Sequence, residues 1–353
     1  MSILRKAGLL GLAAGAALTF GSLTAPVAKA QNVEWSMATP WAGGHWLDVG
    51  AKRFAEHVQT MTEGRVKINV FPAGTLGSAL KVTETVQSGI AEVGHNWPGY
   101  DWGVDRTGVI YGGWSGGLTP EEWMLWLYNY GGADLWKEWR QATSDVVIVP
   151  CGILETELFL HSHKPVRTLE DFKGMKVRTS SAWAEIAADL GASTVIMPGS
   201  EVFSALERKV VDAIEWGGPG INMSAGFNKI AKYIITPGIH QPSGAHECMF
   251  NKNAWAKLSD KDKKLIDELT LADVDGLFAT TSQLRMGPVA LAEYLGLRPR
   301  VFDGTNIGGS SFQAHLAHAH LALQAGLCDV AVIAYGSTQR TIGRRAASAP
   351  RPG

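Results

Sequence analysis

From residue 33 onward, short runs of apolar residues alternate with longer stretches in which apolar residues recur every three or four positions. The short runs are typical of strands, and the longer stretches are typical of amphipathic helices. The first predicted elements are strands at 33–39, 66–71 and 91–97 and a helix at 45–61. This alternation predicts a layered α/β fold.

A stretch rich in aromatic residues follows between 119 and 142. Thr119 and Glu122 have the spacing of a capping box and predict a helix start. Five large side chains then recur near helical spacing: Trp123, Leu127, Tyr130, Leu135 and Trp139. They could form a groove that stacks sugars or bases. The spacing is that of a core face, however, and favours packing against a sheet.

The chain between 145 and 269 predicts a second series of elements. Strands are predicted at 145–150, 154–162, 175–180, 193–198 and 212–216, and a last helix at 253–269. Residues 79–97 and 201–216 share one design, in which a helix leads into a strand and the strand tip is followed by a Gly/Pro turn. Two similar lobes would place these tips on facing walls of a cleft, where layered α/β proteins bind ligands.

The predicted strand at 154–162 carries charged and apolar residues together. Alternation places one set of side chains on the second face of this strand: Glu155, Glu157, Phe159 and His161. A solvated sheet face is one interpretation. A binding face is the other, because an aromatic side chain lies among the charges. The sequence leaves both open.

Arg178 ends a short predicted strand. Its guanidinium has five donors in a fixed plane and is suited to hold a carboxylate through two parallel hydrogen bonds. The competing interpretation is a surface ion pair with an acid such as Glu170. The place of Arg178 between the strands that carry Glu157 and Glu215 favours a position in the cleft.

Residues 33 to about 268 resemble the extracytoplasmic solute-binding subunit of tripartite ATP-independent periplasmic (TRAP) transporters, most of all the branch that binds 2-oxo acids and lactate. Five motifs carry the resemblance: GYDWG (99–103), FKGMKVRTS (172–180), SALERKVVDAIEWGGP (204–219), YIITPG (233–238) and CMFNKNAW (248–255). The resemblance implies a two-domain α/β periplasmic binding protein of the Venus-flytrap type, with two interleaved lobes over residues 31–268.

The resemblance also implies roles for individual residues. Arg178 would pair with the substrate carboxylate, and a cation would be held by Glu215, the backbone carbonyl of Trp216 and the side chain at position 157. One family pattern has glutamine at that last position, whereas this chain has Glu157. Two carboxylates favour calcium over sodium, because all the ligands are oxygen atoms and their total negative charge is higher than with one carboxylate. The ring of Trp216 would form a wall, and Gly217 with Gly218 would let the bound acid approach the main chain.

The facing wall follows from the same resemblance. Trp97 and Tyr100 would line it, with His95 and Asn96 as hydrogen-bonding partners or as residues that only satisfy a loop. Three residues that flank a Pro/Gly turn are candidates for the lip of the cleft: His240, Gln241 and His246.

The N-terminus and the composition indicate where the protein acts. Residues 1–30 have the charged start, apolar core and small-residue end of a cleaved secretory signal, so we expect a periplasmic protein. Removing this segment changes the formal charge from −1 to −4, because Arg5, Lys6 and Lys29 leave with it. A mildly acidic protein is a poor candidate for binding nucleic acid.

The cysteines give a weaker signal. Cys151, Cys248 and Cys328 are too few and too scattered for a disulfide framework or a zinc site. A bridge between Cys151 and Cys248 is one interpretation, and isolated buried thiols are the favoured one.

The C-terminal part of the chain differs in composition. All thirteen tryptophans lie at or before Trp255 and every lysine at or before Lys264, so two segments of different origin are predicted to join near Leu269-Thr270. Residues 270–345 resemble an N-terminal fragment of a thiolase-like α/β protein, and 346–353 are predicted to be a basic disordered tail. The bracing elements of the solute-binding family are expected to be missing.

The thiolase-like segment does not predict an enzyme. Gly309 stands where a thiolase has its nucleophilic cysteine, and Ser310 or Ser311 at a helix start is more typical of an N-cap. His315, His318 and His320 could suggest a metal site. His315 and His318 share a helix face, but no third ligand is evident beside them.

The sequence therefore predicts a non-enzymatic periplasmic protein that captures a small 2-oxo or 2-hydroxy monocarboxylate with calcium or sodium and passes it to TRAP membrane subunits. A homodimer is left open. The alternatives are an inactive thiolase-like or acyl-CoA-related protein and a chimeric chain without function.

Overall fold

The computed structural model describes residues 32–267, 273–280, 287–307 and 310–335. The predicted signal peptide, the predicted basic tail and Gly309 lie outside these residues. Within them, no helix has both the length and the apolar character needed to cross a membrane.

The described elements alternate between strands and helices, as expected. The strands are β1 (Val33–Ala38), β2 (Val66–Phe71), β3 (Val93–Asn96), β4 (Val146–Ile153), β5 (Leu160–Ser162), β6 (Lys176–Arg178), β7 (Ser193–Val195), β8 (Ala213–Ile214), β9 (Tyr233–Ile235), β10 (Ala245–Asn251), β11 (Gly276–Thr280), β12 (Val301–Asp303) and β13 (Ala331–Tyr335). The helices are α1 (Lys52–Met61), α2 (Val82–Gln87), α3 (Gly108–Gly112), α4 (Pro120–Asn129), α5 (Gly132–Ser144), α6 (Leu169–Phe172), α7 (Ser181–Asp189), α8 (Gly199–Glu207), α9 (Pro219–Ser224), α10 (Phe227–Ile230), α11 (Lys252–Trp255), α12 (Asp260–Ile266), α13 (Gly287–Leu295) and α14 (Ser311–Gln324). A π-helical turn, Trp46–Ala51, precedes α1, and a 3-10 turn, Pro98–Asp101, follows β3.

The first lobe is built on a five-stranded mixed sheet in the order β2-β1-β3-β10-β4. β1 pairs in parallel with β2 and β3, whereas β10 runs antiparallel to β3 and β4. Both faces of this sheet are covered by apolar clusters, which explains why β10 is buried along almost its whole length.

The second lobe has another five-stranded sheet, in the order β7-β6-β8-β5-β9. β6 is parallel to β7 and β8, and β5 is antiparallel to β8 and β9. Two apolar clusters pack on it, one around Phe172 and one around Leu206.

Two crossing segments, residues 154–159 and 236–244, connect the lobes and run beside each other. The backbone N–H of Leu154 donates to the carbonyl of Gly244 at 2.9 Å, and the N–H of Glu157 donates to the carbonyl of Gln241 at 3.2 Å. The predicted strand at 154–162 is therefore wrong for its first six residues. Of these residues, Leu154 and Glu157 bond to the other crossing segment, whereas the N–H groups of Leu158 and Phe159 donate to the carbonyls of Gly217 and Ile235. Glu155 is exposed while Glu157 is buried.

The aromatic stretch forms two helices, α4 and α5, and not one. The capping box of Thr119 and Glu122 is confirmed. Trp123, Leu127 and Trp139 are buried as predicted, but the prediction is wrong for Tyr130 and Leu135, which are 75% and 52% exposed. Gly131, which has a left-handed conformation, interrupts the helix and changes which side chains face the core. The helix predicted at 253–269 is likewise divided, because Ser259 caps a new helix, α12.

The cysteine prediction is also corrected. Cys151 and Cys248 form a disulfide, and Cys328 is a buried free thiol. Cys151 lies on β4 at a register shift against β10, between the residues that pair with His246 and Glu247. An irregularity of this kind re-aims a side chain. The local sequence does not show such a shift.

The C-terminal part forms a separate three-stranded parallel sheet, in the order β12-β11-β13. Helices α13 and α14 both contact β11, and small apolar clusters lie under them. His315 is buried, whereas the exposed His318 is paired with Asp303 at 2.5 Å. The predicted α/β character of this segment is confirmed, and its thiolase-like resemblance stays a prediction.

Candidate functional site

A cavity lies between the two lobes, at the crossing segments. Its volume, counted as the space that the centre of a water molecule can occupy, is about 40 Å³. This is room for a few waters or a small organic molecule. Aromatic rings from both lobes line it: Trp41, Trp46, Trp97, Tyr100, Trp183 and Trp216. The two strand tips predicted to face each other, after β3 and after β8, therefore do so.

The tip of β8 brings Glu215 and Trp216 to this cavity. The Trp216 ring lies 5.0 Å from the Trp46 ring of the first lobe, measured between ring centroids. The two glycines that follow allow this contact between lobes. A Cβ at Gly217 would lie 3.0 Å from Trp46, and one at Gly218 would lie 2.1 Å from the carboxyl carbon of Glu155. The glycines thus make room for protein atoms of both crossing and facing segments, and the approach of a bound acid at this turn stays a prediction.

Arg178 ends β6 and is 2% exposed, so a surface ion pair with Glu170 is excluded. Its Nη1 donates to the backbone carbonyl and to Oε1 of Glu215, both at 3.1 Å, and its Nη2 donates to the carbonyl of Met197 at 3.2 Å. The guanidinium lies over the Trp216 ring at 5.0 Å. Among the described residues, its buried Nε has no hydrogen-bond partner.

Two buried carboxylates and a histidine lie beside this arginine. His240 Nε2 is 3.0 Å from Oε2 of Glu157 and 3.9 Å from Oε2 of Glu215. One ligand atom from each of the three residues lies within 4.8 Å of the others, which fits a single metal ion. Carboxylate oxygens are ligands for hard cations such as calcium, and imidazole is a ligand for many divalent ions.

Burial sets the charge state of this group. It raises the pKa of Glu157 to about 8, although Arg178 acts in the opposite direction. It also raises the pKa of Glu215 and lowers the pKa of His240 to about 4. Burial therefore disfavours the ionised forms of Glu157 and Glu215, and a bound cation would stabilise them.

The predicted facing wall is present in part. Trp97 and Tyr100 line the cavity, and burial raises the pKa of Tyr100. Asn96 does not belong to the lining. Its Nδ2 donates to Thr83 Oγ1 at 3.4 Å, because the alternation along β3 turns its side chain into the first lobe. His95 accepts a hydrogen bond from Trp41 Nε1 at 2.9 Å and likewise serves the protein interior.

The sequence interpretation missed part of the site. His240, Gln241 and His246 were assigned to a lip, yet all three are buried in the cavity wall. The sequence predicts a helix from residue 182, but not that the start of α7, from Ser180 to Trp183, lines the cavity. One signal was available, because Ser180-Ser181 follows the tip of β6, where a helix N-terminus in an α/β protein faces the ligand.

These features define a two-lobed binding protein with its ligand cavity at the hinge. The family model for bacterial extracellular solute-binding proteins, family 7, matches residues 37–111 and 133–273. The monocarboxylate 2-oxoacid-binding periplasmic protein of Nostoc sp. is 32% identical over 241 residues, which are 68% of this chain and 66% of that protein. The chain therefore belongs to the family 7 bacterial extracellular solute-binding proteins, as its motifs predicted.

Solved structures show the same fold. A TRAP periplasmic solute-binding protein from Pseudoalteromonas atlantica, with bound sodium and pyruvate, has a TM-score of 0.63 and 26% identity over 90% of this chain and 86% of its own. One from Colwellia psychrerythraea, with bound calcium and pyruvate, has a TM-score of 0.63 and 22% identity over 91% and 90%. The predicted two-lobed α/β fold of this family is confirmed, and both of these structures hold a small organic acid with a cation.

Proposed function

We propose that this protein captures a short 2-oxo or 2-hydroxy monocarboxylate together with a cation in the cavity between its lobes, and delivers it to the membrane subunits of a TRAP transporter. The Nostoc relative, described as binding monocarboxylate 2-oxoacids, supports the substrate class. The Pseudoalteromonas protein, described with sodium and pyruvate, supports a ligand bound with a cation.

The single observation that carries this proposal is the state of Arg178. Its Nη1 is used by Glu215 and its Nη2 by Met197, and among the described residues the buried Nε–H has no hydrogen-bond partner. Nε and Nη2 lie on one edge of the planar guanidinium, the edge from which a carboxylate accepts two parallel bonds. An unpaired buried donor costs free energy, and a ligand carboxylate at this edge would pair it.

The cation would lie between the carboxylates of Glu157 and Glu215, with Nε2 of His240 and the backbone carbonyl of Trp216 as further ligands. Two carboxylates favour calcium over sodium because calcium carries the higher charge. Trp97, Tyr100 and Trp216 would close around the carbon chain of the acid. Asn96 is left out of this site because its side chain faces Thr83.

Capture and release require no covalent step, so the proposed protein is a carrier and not an enzyme. We further propose that residues 1–30 direct its export. The thiolase-like resemblance of the C-terminal segment and a homodimer stay predictions, and the proposed function depends on neither.

The test is isothermal titration of pyruvate in the presence of calcium, with Arg178→Ala and the matched control Arg167→Ala, an exposed arginine of the same lobe. Removing the carboxylate partner should raise the dissociation constant about 100-fold or more, whereas the control should not change it. Because Arg178 is buried, Arg178→Lys and a thermal melt of each variant distinguish loss of binding from loss of fold. An unchanged dissociation constant in folded Arg178→Ala would reject the proposal.

A further inference from the structure

Helix α7 begins at the cavity and presents polar groups that no protein atom uses. Ser181 and Trp183 both line the cavity. Their residues are 6% and 9% exposed, and within the described part of the chain Ser181 Oγ and Trp183 Nε1 have no hydrogen-bond partner. Buried donors in folded proteins are almost always paired, so two of them on one cavity wall point to a ligand.

The helix itself adds to this polarity. α7 has nine residues, and its N-cap residue, Ser180, makes no side-chain capping bond. The first N–H groups of a helix have no partner within the helix and carry a partial positive charge. Oxygen atoms of a ligand are suited to accept from this end of α7.

Ser181 is also held in an unusual conformation. Its φ is +57°, in the left-handed region that side chains other than glycine rarely adopt. Residues held in this way cluster at ligand sites. The conformation orients the first turn of α7 at the cavity wall.

These donors have other neighbours than the guanidinium of Arg178. The guanidinium of Arg178 lies over Trp216, 5.0 Å from the ring centroid. The Trp183 ring lies instead against His240 and Phe159, at 5.7 and 5.8 Å between centroids. The cavity lining therefore offers donors from α7 in addition to those of Arg178.

We propose that Ser181 Oγ, Trp183 Nε1 and the start of α7 bind a second oxygen-bearing group of the ligand. The preferred substrate is then a 2-oxo or 2-hydroxy monocarboxylate with a further hydroxyl oxygen on its third carbon, which binds more tightly than an acid that ends in a plain methyl group. This inference rests on the proposed function, in which Arg178 holds the first carboxylate.

The test uses two probes that differ by one hydroxyl, pyruvate and 3-hydroxypyruvate, titrated into the full chain with calcium. We expect 3-hydroxypyruvate to bind about 10-fold more tightly, because its extra oxygen pairs donors that are otherwise unpaired. The quantity measured is the ratio of the two dissociation constants.

Ser181→Ala removes the hydroxyl, and Trp183→Phe removes the indole N–H while keeping an aromatic ring. Each variant should lower the ratio to about 3 or less, which is the loss of one hydrogen bond. Trp123→Phe is the matched control. The Nε1 of Trp123 is also buried and unpaired, but Trp123 lies in the core of the first lobe, so the ratio should not change.

Equal affinity of the wild-type protein for both probes would overturn this inference alone, because pyruvate would still bind. A ratio unchanged in both Ser181→Ala and Trp183→Phe would also overturn it, and so would an equal weakening of both probes, since the donors would then serve the common carboxylate. Failure of the wild-type protein to bind either probe would overturn the proposed function together with this inference.

Discussion

Two buried clusters in this molecule each contain an arginine and two carboxylates, and they differ in how far their hydrogen bonds are satisfied. In the first lobe, Arg140 donates to Asp101 at 2.6 Å and through Nε to Glu247 at 2.9 Å. The acids have further donors, because Thr83 donates to Asp101 at 2.7 Å and Trp136 to Glu247 at 3.1 Å. The arginine and both carboxylates of this cluster are thus hydrogen-bonded to protein groups, and we call the cluster closed.

The cluster in the cavity is open. Arg178 keeps an unpaired Nε, and burial raises the pKa of Glu157 to about 8. In the closed cluster burial also opposes charge, yet Glu247 and Asp101 still raise the pKa of Arg140. Buried polar networks rigidify a fold when every member is paired. Burial raises the pKa of Glu247 in the closed cluster as well. The comparison therefore teaches that an unpaired donor, and not the presence of buried ions, distinguishes the ligand site from structural support.

The largest effect is expected from opening the closed cluster. Arg140→Ala leaves Asp101 and Glu247 buried without a cation, so the free energy of unfolding should fall by about 3–5 kcal/mol. Urea denaturation followed by circular dichroism measures this change. Arg53→Ala, at an exposed arginine of α1, is the control and should alter stability by less than about 0.5 kcal/mol.

Arg140→Lys keeps the charge but cannot reproduce the forked geometry of the guanidinium. Its loss in free energy of unfolding should therefore lie between those of Arg53→Ala and Arg140→Ala. A free energy of unfolding for Arg140→Ala within 1 kcal/mol of the wild type would contradict the structural role of this cluster.

A second, smaller effect concerns the pH dependence of the open cluster. The pKa of Glu157 is about 8 in the folded protein and 4.5 in the unfolded chain. The folded state therefore holds a proton that the unfolded state releases, and this contribution to stability is full below about pH 4.5 and is lost as the pH rises through 8. His240 does not titrate in the upper part of this range, because burial lowers its pKa to about 4.

Without calcium, the free energy of unfolding should fall by about 2 kcal/mol between pH 6 and pH 8.5. Glu157→Gln should remove most of this slope, and calcium should stabilise the wild-type protein more at pH 8.5, where the carboxylate is ionised. Denaturation curves at the two pH values provide the measurement. Equal slopes for wild type and Glu157→Gln would assign the effect to other groups, such as Glu215.

The smallest effect is expected at the mouth of the cavity. Glu185 on α7 accepts hydrogen bonds from Trp102 Nε1 at 2.9 Å and Arg106 Nη2 at 3.0 Å, which both belong to the first lobe. This exposed contact joins the lobes, and exposed pairs contribute about 0–1 kcal/mol. Glu185→Gln should therefore speed ligand dissociation about two- to fivefold in stopped-flow experiments.

Glu170→Gln is the matched control, since Glu170 is also exposed and pairs with Lys173 of its own lobe. An identical dissociation rate in the two variants would mean that the contact between lobes does not hold the closed form.

Much of the fold could be predicted because it depends on local patterns. The capping box at Thr119 and the strands β1, β2 and β3 follow from spacing within a few residues. The strand predicted at 154–162 failed over residues 154–159, because Leu154 and Glu157 bond to Gly244 and Gln241 of the other crossing segment, which is distant along the chain. Alternation describes a strand correctly only where a sheet exists to receive it.

The sequence by itself determined most of the α/β elements, the family motifs, and the place of Arg178 and Glu215 at strand tips. Only the tertiary structure decided that His240 joins this cluster and that Asn96 does not. Glu157 and His240 are 83 positions apart, and Arg140 and Glu247 are 107 apart. Burial and pairing of charges depend on such distant partners, whereas periodicity reports only on neighbours within a turn or a strand. For this reason the sequence could supply both arginine clusters without showing which one is closed and which one is open to a ligand.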